Sequence, residues 1–398
     1  MPFDDALARR NAVVLAFASV FAGANAAVLF STGAIVGQSL GPSPEWATAP
    51  ITAFVLGTAA TTMPAAFLAR RFGRRLAYQT GTVLGILAGL VAAYSIREGL
   101  FVTFMLAAAL CGAYQAFVIS YRFGATDNAS PAFRPRVISY VLLGGVASAF
   151  VGPQLVIYSK DLFPPFTFLP SYLFQSAVAL LALLCLFAYR DGPPPAVNNQ
   201  APARPLREIL KSHRLKVAIL SGAIAQALMN LIMTAAPLAM IGCALTTTDA
   251  ALGIQWHIVG MYLPGFFTGH LIARWGVYPV MLTGLAILGA CALVAISGIS
   301  LEHFFVALIL LGVGWNFAFV GATSMVAEGQ KPNERNKIQG FNDLVIFGIT
   351  AIASLSSGKI LAAFGWSSLN LTMFPFLVVA AGMVIWLAAG ERRTVRGG

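Results

Sequence analysis

The residues of this chain that could do chemistry are few, and most of them are uncharged. Asn25, Tyr114, Gln115, Gln154, Gln226, Asn230, Trp315 and Asn316 each interrupt a long apolar stretch. An amide or hydroxyl placed there gives up water and must be compensated, either by a neighbouring helix or by a polar solute. Their chemistry is recognition by hydrogen bonds rather than bond breaking. Aromatic rings accompany them: Phe117 and Tyr121 follow Tyr114 at helical spacing, and Trp315 and Phe317 flank Asn316. A stacking slot for a flat ring is one reading of these rings, and plain packing is the other. No Lys or Arg lies deep in the same stretches, which suits a neutral or weakly charged solute.

Ionisable groups inside the apolar stretches are His257 and Asp343. Either is a candidate proton carrier, His257 because imidazole titrates near neutrality and Asp343 because desolvation favours its neutral form. The structural alternatives are a packed histidine and a helix-dipole partner. Catalysis is not expected. His213, His257, His270 and His303 fall on separate segments, and no nucleophile motif accompanies them. Cys111, Cys185, Cys243 and Cys291 sit in apolar runs without CxxC spacing, so neither a metal site nor a disulfide framework is indicated. No Gly-x-x-x-x-Gly-Lys loop is present, and no cofactor is expected.

The elements that must position these groups follow from composition. The chain has 398 residues, 58% hydrophobic and 10% charged, with mean hydropathy +0.80. Soluble domains carry about 25% charged residues, so the solvent for most of this chain is lipid. Stretches of about 20 apolar residues span a bilayer. Twelve are predicted: 12–36, 47–69, 76–96, 100–121, 137–158, 167–189, 215–241, 250–273, 278–298, 303–327, 339–361 and 367–389. Arg9-Arg10 followed by Ala24-Asn25-Ala26 mimics a cleaved secretory signal, but the apolar run continues to Val36 and is read as the first span. The segment 190–214, rich in Pro, Asn and basic residues, separates residues 1–189 from residues 215–398 as two six-span halves.

The halves repeat. "LARRFGRR" (68–75) follows the second span and "LIARWGVY" (271–278) the eighth, and an offset of 203 places Leu68 on Leu271, Arg71 on Arg274 and Gly73 on Gly276. Charge then sets orientation. With the N-terminus cytoplasmic, every Lys and Arg except Arg97, Lys160 and Lys359 falls in a cytoplasmic segment. The net charge of +11 is thereby assigned to contact with anionic headgroups, and nucleic acid is not needed to explain it.

Twelve spans, two halves, a polar linker and "ARRFGRR" after the second span together resemble the major facilitator superfamily of secondary transporters. The resemblance implies an all-α polytopic fold of two pseudo-symmetric six-helix bundles. It also implies residence in the bacterial inner membrane with both termini cytoplasmic, and action as a monomer. The family's loop usually reads Gly-x-Leu-Ala-Asp-Arg-x-Gly-Arg-Lys. Here Ala66, Leu68, Ala69, Arg70, Arg71, Gly73, Arg74 and Arg75 occupy it, so Arg70 replaces the usual Asp and Ala273 stands at the equivalent place in the second half. "GGVASAFVGPQL" (144–155) resembles part of a family motif on the fifth helix, with Gln154 where a glycine is usual. "SYRFGATDNASPAFRPR" (120–136), "GWNFAFVGATSM" (314–325) and "ERNKIQGFNDLVIFG" (334–348) are similar to a bacterial branch that includes riboflavin transporters.

The resemblance implies a solute cavity lined by helices 1, 4, 7 and 10, the helices that carry most of the amides above. The expected cargo is a small organic solute, riboflavin or a related heterocycle, moved by alternating access with a proton as candidate coupling ion. A proton-driven exporter of the same fold is the alternative. The loop's reversed polarity suggests a cytoplasmic gate in which Arg70 or Arg71 meets Asp343 or Glu334. Asp127 would pair with Arg274 at the other seam, with Arg74 beside them.

Overall fold

The structure is a computed structural model that describes residues 4–130, 133–192, 204–328, 330 and 333–396, without the side chains of 135, 336 and 392–396. The interior of the expected 190–214 linker and Lys331 lie outside the described residues. Among those described there is no strand. In lipid a backbone must satisfy its own hydrogen bonds, and a helix does so within one segment.

Among the described residues seven α-helices precede the linker: α1 (Asp5–Leu40), α2 (Ala49–Phe72), α3 (Arg74–Glu98), α4 (Phe101–Ile119), α5 (Tyr121–Thr126), α6 (Arg134–Ser159) and α7 (Leu169–Leu186). From residue 204 on come α8 (Leu206–Ile209), within the linker, α9 (His213–Gly242), which begins at its end, α10 (Thr247–Tyr262), α11 (Gly265–Trp275), α12 (Val277–Ser297), α13 (Leu301–Glu328), α14 (Arg335–Leu371) and α15 (Met373–Arg396). Ten stretches among the described residues are long and apolar enough to cross a membrane. Two departures account for the difference from twelve. The eighth predicted span is broken between α10 and α11, where Pro264 has no N–H to offer the preceding turn. The eleventh and twelfth run together as one helical stretch, interrupted at Gly365, whose φ is 75°.

The 203-residue offset reappears in the backbone. Gly73 has φ 89° and ψ 159° before α3, and Gly276 has φ 87° and ψ 162° before α12. A side chain at such positive φ would be strained, so each half turns its second helix into its third on a glycine. The two loops are one piece of geometry used twice.

Contacts divide the chain into two compact units, Met1–Pro194 with Thr234–Val259, and Pro195–Met233 with Gly260–Gly398. The first therefore includes the end of α9 and most of α10. Within it, helices approach closely over small residues: a Cβ at Gly112 would strike the carbonyl of Phe54, and one at Gly57 that of Ala109. Thr58 closes the same α2–α4 seam by donating to the Gly112 carbonyl at 3.0 Å. Small residues at seams are what lipid-embedded packing requires, because no hydrophobic drive separates helix from lipid. The second unit has its own apolar cluster around Met281, Met325, Ile338 and Val384.

Candidate functional site

The second unit contains an amide and two rings arranged together. Trp315 of α13 donates from Nε1 to Gln226 Oε1 of α9 at 2.7 Å. Phe319, one turn along α13, lies against the indole with ring centroids 5.0 Å apart and planes 15° from parallel. The bond to Gln226 fixes the indole's orientation and leaves the Gln226 amide nitrogen available for other partners. All three side chains are half-buried. That is unusual for α9, whose most apolar stretch is 83% buried, against 28–56% for the other membrane-length helices. Asn230, one turn further along α9, is buried.

Asn316, next to Trp315, is committed differently. Its Nδ2 donates to the Met261 carbonyl at 2.7 Å, and the Thr268 hydroxyl donates to its Oδ1 at 2.6 Å. Both ends of the amide are spent on protein, on either side of the break between α10 and α11. In this structure Asn316, expected from sequence to face a solute, engages both sides of that break.

In the first unit, Tyr114 is 1% exposed and Tyr121 0% exposed, in a core with Tyr78 and Tyr189. Tyr78 meets Tyr121 edge-on at 4.7 Å. The Tyr114 ring fills space left by Gly85, and Phe117 fills that left by Gly81. These rings, candidates for a stacking slot from sequence, are buried against protein in this structure. Asn25 is 1% exposed and donates to the Phe21 carbonyl one turn back at 3.0 Å, while its Oδ1 is buried and accepts no bond in this structure. Gln115 is half-buried. Gln154 of α6 donates to Gln255 Oε1 of α10 at 2.8 Å, a partner that sequence reading did not single out. His257, two residues on, is wholly buried, whereas Asp343 in α14 is half-buried and accepts from Asn342 at 3.3 Å.

The charged loops carry ion pairs within each unit. Arg74 holds Asp127 with two nitrogens. Asp191 accepts from the backbone N–H of Arg74 at 2.8 Å and of Arg75 at 3.1 Å, capping α3 where Gly73 has no side chain to do so. Arg204 grips Glu334 through Nε at 2.5 Å and Nη2 at 3.1 Å, and Lys337 donates to the Arg204 carbonyl at 2.8 Å. That carboxylate holds the Arg204 guanidinium above its usual pKa. Sequence reading gave Glu334 to Arg70 or Arg71 and Asp127 to Arg274. In this structure Arg204 takes Glu334 and Arg74 takes Asp127, while Arg70, Arg71 and Arg274 are exposed. The physical reason is proximity within a unit: each acid is met first by a cation of its own unit. Asp191, Gln255 and Arg204 were missed because nothing in their local sequence marks them.

Comparison with known proteins agrees with this architecture. The family model described as Major Facilitator Superfamily matches residues 15–256 and 218–397. The riboflavin transporter RfnT of Brucella anthropi is 43% identical over 380 residues, covering 94% of this chain and 95% of that protein. Among solved structures, a mutant of the nucleoside transporter NupG superposes with a TM-score of 0.69 at 14% identity, covering 94% of this chain and 99% of that one. An auto-inhibited peptide transporter of the POT family gives 0.70 at 13% identity, with 96% and 97% covered. At those identities the two structures speak for the fold alone.

Proposed function

The chain belongs to the Major Facilitator Superfamily and is a secondary transporter, and we propose that its cargo is riboflavin or a closely related flat heterocycle. The observation that carries the cargo is the 43% identity to a riboflavin transporter across nearly all of both chains. The chemistry of the Gln226–Trp315–Phe319 group supports it. Riboflavin is a planar, uncharged ring system bearing amide-like edges and a hydroxylated tail. A fixed indole offers such a ring a face, and the amide nitrogen of Gln226 offers its edge a donor.

In this reading the half-buried faces of α9 and α13 are a wall of the solute cavity. Gln115, Asn230 and Asn25 supply further polar points, and Asn25 brings a buried acceptor that the protein itself does not use. The two halves rock about the site, joined by the 190–214 linker, in the bacterial inner membrane with both termini cytoplasmic. The chain works as a monomer, and its basic loops rest on anionic headgroups. Arg70, Arg71, Arg274 and Asp343 form gate contacts in another state of the cycle, when the pairs held by Arg74 and Arg204 rearrange. His257 and Asp343 are the proton candidates. A second reading is a proton-driven exporter of the same fold, which the partial Gly152-Pro153 motif inside α6 leaves open.

The test is uptake of labelled riboflavin by a riboflavin-auxotrophic, transporter-deficient strain expressing this chain, with and without an uncoupler. Uptake above the empty vector is expected. Uptake equal to the vector, from protein shown to be in the membrane, would overturn the cargo assignment in favour of the exporter.

A further inference from the structure

From residue 204 the end of the linker folds onto the second unit. Ile209 and Leu215 are both buried, in one apolar cluster with Val277, Met325 and Ile338. Arg204 secures this fold: it holds Glu334 with two nitrogens, and its Nη1 lies 3.7 Å from Glu208 Oε1. Beside the anchor, α8 and the start of α9 line a cavity of about 690 Å³, within the size range of small-molecule sites. Ile209 and Leu215 supply its apolar lining, and Arg207, Lys211 and Ser212 its polar edge.

The charge of that edge is not balanced from within. Arg204 takes up both nearby acids, Glu208 and Glu334, and no acid occurs in the sequence between Asp191 and Glu208. Arg207 and Lys211, about one helical turn apart, are exposed and make no ion pair among the described residues. Ser212 accepts from the Leu215 N–H at 3.3 Å, which leaves its own hydroxyl proton to donate. Two cations and a hydroxyl around one cavity are donors without an acceptor, the complement of a phosphate group.

Depth decides which phosphate. The span predicted at 215–241 starts at the cavity lining. His213 meets Trp386 of α15 edge-on, with centroids 5.4 Å apart, and Trp386 is exposed, as aromatic side chains at the membrane–water boundary are. The cavity therefore opens at the level of lipid headgroups. We propose that Arg207, Lys211 and Ser212 bind the phosphate of one anionic phospholipid, whose acyl chains run past Trp386 and Leu220, both exposed. This rests on the cytoplasmic placement of the linker proposed above. It differs from the general attraction of basic loops to headgroups in being one site of fixed residues.

The test is native mass spectrometry of the whole chain in detergent with added dioleoyl phosphatidylglycerol, which counts bound lipids and gives the dissociation constant of the first. R207Q and K211Q are each expected to weaken that first lipid about fivefold, and the double variant about thirtyfold, the worth of one and two basic residues at a headgroup surface. Both side chains are exposed and untied, so the melting temperature should not fall with them. R70Q/R71Q removes the same charge from exposed arginines of the first unit and should leave the affinity unchanged. Phosphatidylcholine, which has a phosphate but no net charge, should bind more weakly than phosphatidylglycerol. An equal loss in R70Q/R71Q would show diffuse charge rather than a site and overturn the proposal, as would a first lipid that binds R207Q/K211Q undiminished. Displacement of the lipid by an equal concentration of inorganic phosphate would give the cavity to a soluble anion and overturn the lipid assignment. A failure of riboflavin uptake would leave each of these measurements unaffected, because no transported solute enters them.

Discussion

Arg74 meets Asp127 as a fork: Nη2 donates to Oδ1 at 3.0 Å while Nε donates to Oδ2, and Nη1 reaches the Tyr78 hydroxyl at 3.4 Å. The guanidinium therefore ties the loop before α3 to the end of α5 and to the buried tyrosine cluster. The same stretch of backbone is held independently by Asp191, which caps α3 from beyond α7.

These two acids should differ in what they stabilise. Asp127 and Arg74 have side chains 44% and 26% exposed, and pairs so open to solvent contribute about 0.2–1 kcal/mol. Asp191 satisfies orphan N–H groups at a helix start, and losing such a cap costs about 0.5–2 kcal/mol. Asp191→Ala is expected to lower the melting temperature in detergent more than Asp127→Ala does. Arg74→Lys should resemble Asp127→Ala, since an ammonium keeps the charge and loses the fork. The reverse order in a thermal-shift assay would show the ion pair to be the stronger tie.

Glycines on helix seams give a sharper contrast. A Cβ at Gly85 would sit 2.7 Å from Tyr114 Cε1 and 3.0 Å from Cγ, and that ring is 1% exposed with nowhere to move. Gly85→Ala is expected to destabilise by about 1–3 kcal/mol through overpacking. Gly269 of α11 has nothing within 4 Å of the same added carbon. There the change to Ala should stabilise by about 0.5–1 kcal/mol, because alanine loses less entropy in a helix. Denaturant unfolding of the two variants in one detergent checks both signs at once.

Much of the architecture was legible because lipid imposes it. Apolar stretches of spanning length can only be helices, and the two glycines that the offset aligned, Gly73 and Gly276, have matching backbone angles. The partition of side chains within the membrane was less legible. Apolarity there does not separate core from lipid face, so the spacing of Tyr114, Phe117 and Tyr121 allowed a slot as well as a core; here Tyr114 and Phe117 pack closely against glycines and Tyr121 lies in the tyrosine core. Long-range polar pairs were invisible for a different reason. Gln154 and Gln255 are 101 residues apart, and Arg74 and Asp191 are 117 apart, with no periodicity linking them.

The adjacent residues Trp315 and Asn316 separate binding from bracing. If Trp315 offers its face to the solute, Trp315→Leu removes the ring and should raise the KM for riboflavin uptake at least about tenfold, the effect of losing about 1.4 kcal/mol. That lies within the range for stacking an aromatic base on a side chain. Trp315→Phe keeps a face but abandons Gln226, so an intermediate KM is expected. Asn316→Ala does something else: it leaves the Met261 carbonyl, at the break in the eighth span, short of a partner, while the Thr268 hydroxyl keeps its bond to the Pro264 carbonyl. A buried polar group so orphaned costs about 1–3 kcal/mol. Lower thermal stability and a lower maximal rate are expected, with KM close to that of the unsubstituted chain. A rise in KM from Asn316→Ala as large as that from Trp315→Leu would return Asn316 to the cavity wall, because a brace for the helix break has no reason to weaken solute binding by the same factor as the loss of the ring it is supposed to lie behind.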